Sequence, residues 1–362
     1  MSNTDLDGRG TRRNPANRFE PLHLERIGSD DLGSDDADLA AALAADPTPT
    51  EFYRDASRTI LAENDSPDLG FRFSLNPYRG CEHGCVYCYA RPSHEYLGFS
   101  AGLDFERKLM VKTDASALLR AALAAPRWQP QVVALSGNTD CYQPIERRLG
   151  LTRGCLEVFA AFRNPVGVIT KSALVTRDVD LLADLATHGA AHVSISLTTL
   201  DPDLARRMEP RAATPQRRLD AIATLAAAGV PVGVMTAPII PGLNDHEIPA
   251  LLERAAAAGA TSAAWTLLRL AAPIDQLFVD WLERHYPDRA LRVLGRLRQC
   301  RGGALSDARF GRRMRGEGPY AAQVRDLFSL AARRRGLDRR LPPLRTDAFR
   351  VPPAAGDQLR LF

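Results

Sequence analysis

The chain has 362 residues, 45% of them hydrophobic, with 47 basic and 43 acidic side chains and a formal net charge of +4. That is core enough for one large domain with appendages, or for two modest ones. No apolar run approaches the roughly 20 residues a bilayer span needs. Six cysteines at this length, with no leader resembling a signal peptide, argue against a disulfide framework and for a soluble, cytoplasmic protein.

In chain order, residues 1–65 lack sustained periodicity and read as an irregular N-terminal arm, with one helix expected near Asp36–Ala45. Within this arm Ser29–Glu51 is acidic and Ala-rich. From Phe71 apolar strand-like runs alternate with helical periodicity, the signature of βα units. Strands are predicted at Phe71–Asn76, Gln131–Ser136, Val166–Lys171, Ala191–Leu197, Val230–Ala237 and Ser262–Leu267. Helices are predicted near Asp114–Ala125, Thr152–Arg163, Arg177–His188, Thr214–Ala228 and Asp245–Ala258, with Gly189 and Gly229 as C-terminal caps. Six such units fall short of the eight of a closed barrel. The fold class is therefore α/β, with the core over residues 66–272 and its chemistry at the carboxyl ends of the strands.

A helical extension follows over residues 273–340, with helices near Ile274–His285, Asp288–Cys300 and Pro319–Arg335. Residues 341–362 are rich in Pro, Ala and Gly and read as a flexible tail. The stretch Arg289–Arg350 carries 17 Arg against 5 acids and no Lys. Guanidinium forks onto phosphate, so this region is an expected nucleic-acid surface. The competing reading is habit, because the whole chain uses 44 Arg and only 3 Lys.

The most specific local pattern is Cys81-Glu82-His83-Gly84-Cys85-Val86-Tyr87-Cys88, a C-x3-C-x2-C loop after the first core strand. Protein alone closes a [4Fe–4S] cluster with four thiolates. Cys81, Cys85 and Cys88 supply three and leave one iron open to a substrate or cofactor. The alternative is a structural zinc completed by Cys141 or His83, although no second C-x2-C pair exists.

Other candidates sit at strand ends. Ser136-Gly137 closes a strand, where a glycine lets backbone approach a ligand. Lys171, with Ser172 beside it, places an ammonium and a hydroxyl at a barrel mouth. His192, Ser194, Ser196 and Thr198 alternate with apolar residues, so one face of that strand is polar and is expected to look into the lumen.

The cysteine loop resembles the radical S-adenosylmethionine (SAM) superfamily. Its flanks Asn76-Pro77-Tyr78-Arg79-Gly80 and Tyr89-Ala90-Arg91 resemble the spore photoproduct lyase-like branch. So do Thr170-Lys171-Ser172 with Arg177-Asp178, the run Ser194–Thr198, Glu209-Pro210 and Arg217-Arg218. The likeness runs from about residue 70 to 270.

This resemblance implies a partial (βα)6 TIM-like barrel, a [4Fe–4S] cluster on Cys81, Cys85 and Cys88, and SAM bound at the open iron. Reductive cleavage of SAM would release a 5′-deoxyadenosyl radical, with the electron from a donor such as flavodoxin or ferredoxin. Ser136 and Gly137 would meet the SAM amino group, Lys171 and Ser172 its carboxylate, Ser194 and Ser196 its ribose or carboxylate. Tyr87 and the run Ala237–Gly242 would pack on adenine. The photolyase uses a thiol as hydrogen donor, which by register falls near Gly137; Cys141 is the nearest candidate catalytic thiol, or else an inert buried one.

Finally, Gln358-Leu359-Arg360-Leu361-Phe362 resembles the peptide by which bacterial repair proteins bind the sliding clamp. Three functional readings follow: a radical SAM enzyme on DNA or another nucleic acid, one on a protein or small molecule, or a zinc-stabilised DNA-binding adaptor without catalysis.

Overall fold

The structure is a computed structural model that describes residue 10, residues 26–27 and residues 49–353. The helix expected near Asp36–Ala45 and the peptide Gln358–Phe362 lie outside the described residues. The chain runs through β1 (Glu51–Arg54), β2 (Leu61–Glu63), β3 (Phe73–Leu75), β4 (Tyr78–Arg79), α1 (Leu103–Arg107), β5 (Lys108–Val111), α2 (Ala115–Ala124) and β6 (Val133–Leu135). It continues with α3 (Glu146–Leu149), α4 (Leu151–Phe162), β7 (Val166–Thr170), α5 (Val179–Thr187), β8 (Ala191–Ser196), α6 (Pro202–Met208), α7 (Pro215–Ala227) and β9 (Val232–Ile239). Then follow α8 (Ile248–Ala257), β10 (Ser262–Leu267), α9 (Ile274–His285), α10 (Pro287–Gln299) and α11 (Gly318–Arg334).

The six predicted core strands form one sheet in the order β3-β6-β7-β8-β9-β10, every neighbour parallel, with β2 added antiparallel beside β3. The two edges do not pair with each other, so this is an open (βα)6 partial barrel. Period-two alternation decides what each face does. On β8, Val193 and Ile195 are fully buried and join the main core with Leu182, Leu185 and Ile222 from the covering helices. His192, Ser194 and Ser196 take the other face. Register places His192 opposite Gly167 and Ser194 opposite Gly233, so small residues line the lumen. A Cβ on Gly167 would lie 2.8 Å from His192 Nε2, so only glycine leaves room for that ring.

Two expectations are corrected. The arm to residue 65 is not irregular throughout: β1 and β2 belong to it, and β1 joins β5 and β4 in a small second sheet beside the cysteine loop. Strands of two to four residues are too short to show a period. The tail from 341 is not loose over its first part. Ala263 N donates to Leu337 O, Arg345 N to Gly189 O and Arg350 N to Phe162 O, at 2.9 Å each. Leu341 packs against Gly233, and Phe349 lies 6.2 Å from Phe162, ring to ring. These partners precede or open β10, β9, β8 and β7, so residues 337–350 form a strap across the barrel floor. Backbone pairing and one aromatic contact hold a segment whose composition alone suggested a linker.

No helix among the described residues is long and apolar enough to cross a membrane.

Candidate functional site

The cysteine loop leaves β4 and lies over the carboxyl ends of β6, β7 and β8, where buried groups pin its backbone. Arg91 is fully buried. It donates to Cys85 O at 2.9 Å, Gly84 O at 3.2 Å, Gly102 O at 2.8 Å and Ala101 O at 3.3 Å, and pairs with buried Glu106 at 2.6 Å. Cys81 N donates to Phe105 O at 2.9 Å and Val86 N to Met208 O at 3.1 Å. Buried Glu82 accepts from Ile145 N at 2.8 Å and Arg211 at 2.7 Å.

The three thiols fit the cluster that the sequence implies. Cys81 and Cys85 are buried and Cys88 nearly so, all as free cysteines. Cys81 lies close enough to Cys85 and Cys88 for a charge on either to push its thiol further up, beyond the larger effect of burial. Burial pushes all three thiols up, so neutral thiols are favoured unless a positive centre holds them as thiolates. Among the described residues no three His, Cys, Asp or Glu side chains form a site for a single ion. A cubane does not need such convergence, because each thiolate holds its own iron.

Below the loop, Tyr87 joins a network whose other members, Glu209, Arg218 and Thr198, were given no chemical role by the sequence. Glu209 is buried and its carboxylate accepts from Thr198 Oγ1 at 2.7 Å, from the Tyr87 hydroxyl and from the buried Arg218 guanidinium. Burial alone would raise Glu209, but Arg218 and Lys171 overcome it and hold the carboxyl at about 2, against an ordinary 4.5. The pair therefore stabilises the fold above pH 4.5, and this contribution is lost as pH falls through about 2. Glu209→Gln should cost roughly 3–5 kcal/mol near neutrality, because Arg218 is left buried and uncompensated. The gap to the parent should shrink across that acid window. Parallel acid-unfolding curves for the two proteins would count against the assignment.

The other predicted site residues fall into two groups. Lys171 stands at the mouth with its Nζ 5.9 Å from the Tyr87 ring centre, and has no ion pair among the described residues. Ser194 is half-buried on the lumen face, and Ser196 Oγ reaches Ala237 O at 3.3 Å. Tyr87 is buried in a cluster with Met208, Ile240 and Leu268, which also contains part of the Ala237–Gly242 run.

In the second group the side chains serve their own turns. Ser136 Oγ donates to Thr139 O at 2.5 Å, and Ser172 Oγ caps a 3-10 turn by accepting from Leu174 N at 3.2 Å. Gly137 is required because a Cβ would lie 2.9 Å from that of Ser74, and its carbonyl accepts from exposed Tyr89 at 2.7 Å. Cys141 follows Asp140 into the core. It is fully buried in the main core, and burial drives its thiol well above the ordinary value. Its neighbour Asp140 organises the mouth, accepting from Thr170 Oγ1 and Lys171 N at 2.7 Å each and lying 3.4 Å from His83.

The Arg289–Arg350 stretch is not one patch. Buried Arg301 donates to Leu268 O at 2.6 Å, Arg315 to Trp265 O at 2.9 Å, and Arg313 pairs with Asp68. Arg298, Arg333, Arg334, Arg339 and Arg340 are exposed and have no acidic partner among the described residues.

An open six-stranded parallel barrel with a three-cysteine loop at its carboxyl end defines a class, and comparison with known proteins names it. The profile of the Radical SAM superfamily matches residues 75–255, half of the chain, and the chain belongs to that superfamily. It is 42% identical over 222 residues to an uncharacterized protein of Mycobacterium tuberculosis, covering 61% of this chain and 65% of that one. It is 26% identical over 211 residues to a Radical SAM Nalpha-GlyT isomerase of a Pseudomonas phage, covering 58% of this chain and 42% of the phage protein. The matched region thus spans less than two thirds of either relative. Among solved structures, a spore photoproduct lyase variant superposes with a TM-score of 0.53 at 16% identity, covering 79% of this chain and 80% of that one, and shares its fold.

Proposed function

We propose that this chain is a radical SAM enzyme that abstracts a hydrogen atom from DNA or another nucleic acid in a repair-like reaction. A [4Fe–4S] cluster bearing SAM supplies, on one-electron reduction, a 5′-deoxyadenosyl radical as the abstracting species. Cys81, Cys85 and Cys88 hold the cluster, and Arg91 with Glu106 keeps their loop in place. Lys171, an ammonium beside the Tyr87 ring with no ion pair among the described residues, binds the SAM carboxylate. Ser194 and Ser196 contact SAM from the lumen face. Glu209 and Thr198 fix the Tyr87 hydroxyl and so orient its ring. Burial of the loop excludes water, which would otherwise quench a reactive intermediate.

The observation that carries the reading is the set of three free thiols, two buried and one half-buried, on one anchored loop above the ends of parallel strands. The isomerase named among the relatives supports radical catalysis as the class. Exposed arginines with no acidic partner among the described residues, Arg298, Arg333 and Arg334 among them, support an anionic polymer as substrate. A flavodoxin or ferredoxin as electron donor, and capture on a sliding clamp by Gln358–Phe362, belong to the same proposal.

Anaerobic purification should give a brown protein with about four irons and four sulfides per chain, which forms 5′-deoxyadenosine when reduced with SAM. A colourless protein with one tightly held zinc would refute the catalytic reading. Deuterium passing from a labelled oligonucleotide into 5′-deoxyadenosine would establish the substrate. Transfer only from a peptide or small metabolite would move it to that class.

A further inference from the structure

Beside the mouth lies a cavity of about 170 Å³ between the cysteine loop, the turns after β6 and β7, and the start of α7. Its walls include Arg147, Arg211, Arg217, His83, Tyr142 and Ser172, and none of its lining residues is acidic. The nearby acids are already engaged. Glu82 takes Arg211 at 2.7 Å, Asp178 takes the Tyr142 hydroxyl at 3.0 Å, and Asp140 faces His83 at 3.4 Å. Arg147 and Arg217 are exposed and have no ion pair among the described residues.

The Ser172 hydroxyl accepts from Leu174 N and keeps its own proton to donate. The 13-residue helix α7 opens at the cavity with its Thr214 cap, so its positive end adds to the same field. Two guanidinium forks, a hydroxyl and a helix start around an acid-free hollow are complementary to a tetrahedral oxyanion.

We propose that this cavity is a phosphate-binding subsite, gripped chiefly by Arg147 and Arg217, that holds a phosphate group next to the reaction mouth. The phosphate is either a diester of a nucleic-acid backbone or a free phosphate monoester; the chemistry of recognition is the same. The subsite relocates the expected phosphate contacts. Arg339 and Arg340, in the Arg-rich stretch, belong to the strap on the floor, whereas Arg147 and Arg217 flank the cysteine loop.

The test uses the full chain, purified anaerobically, and inorganic phosphate as probe. Titration is followed by phosphorus NMR against chloride at matched ionic strength. Saturable phosphate binding is expected, and Arg147→Gln and Arg217→Gln should each weaken it by about tenfold, the worth of one charge-assisted hydrogen bond. Arg217→Lys, which keeps the charge but loses the fork, should fall between. Iron content and circular dichroism matching the parent would show that each variant is folded. Phosphate binding no tighter than chloride, or unchanged in the double Gln variant, overturns the subsite.

In a second arm a short single-stranded oligodeoxynucleotide is added to the phosphate-loaded protein. Displacement assigns the subsite to backbone diesters, and retention assigns it to a free monoester. Only this arm rests on the proposed nucleic-acid reading, so the two ideas can fail separately.

Discussion

Cys85→Ala is expected to give a folded chain with little bound iron and no 5′-deoxyadenosine formation, while Cys141→Ala keeps both. The contrast follows from position. Cys85 lies in the anchored loop with two companion thiols, and its loss leaves a cubane with only two protein donors. Cys141 is a fully buried member of the main core, so its removal opens a small cavity at a cost on the order of 1 kcal/mol. Iron, sulfide and nucleoside product, measured side by side, decide the matter. Retained cluster in Cys85→Ala, or abolished SAM cleavage in Cys141→Ala, would invert the assignment made here. Should Cys141→Ala cleave SAM but stop turning over substrate, the buried thiol would regain its role as hydrogen donor.

The second large effect is expected at Arg91, which touches no reacting atom. Arg91→Met removes donors from four backbone carbonyls and leaves Glu106 charged and buried. Breaking one side of such a pair costs roughly 3–5 kcal/mol. Arg91→Met with Glu106→Leu removes the buried carboxylate, whose other donor is Gly10 N at 3.1 Å, and should recover part of that, read as the urea midpoint at constant slope. The carbonyls of Gly84 and Cys85 stay unsatisfied in both variants. Cluster content after anaerobic reconstitution should therefore remain low even where stability returns. Full recovery of iron in the double variant would show that Arg91 serves the fold and not the loop.

The parallel core was legible because its signals are local. Each run of Val, Ile and Ala is bounded by a helix of period 3.6, and the predicted strands at Val166 and Ala191 differ from the observed ones by a single terminal residue. The small sheet was not legible, since β4 has two residues and β1 and β5 four each. The cysteine loop could be read because all of its ligands fall within eight consecutive positions.

The charge network beneath it is spread along the chain: Tyr87 and Glu209 are 122 residues apart and meet only through the barrel. The hint was the pair of short motifs Glu209-Pro210 and Arg217-Arg218, which the resemblance marked without giving either a role. Nor does sequence say where a hydroxyl is used. Ser136 donates within its own turn and Ser172 accepts within its own, which leaves the Ser172 proton for a ligand, whereas Ser194 lies on the lumen face.

The strap over residues 337–350 has a mechanical consequence. It delivers the polypeptide to the pole of the barrel remote from the thiols, about five strand residues or some 17 Å away. Whatever grips the chain beyond Pro353 is leashed to that far pole. A scaffold could then hold the enzyme from behind while the working end stays clear, so anchorage and turnover would add instead of competing.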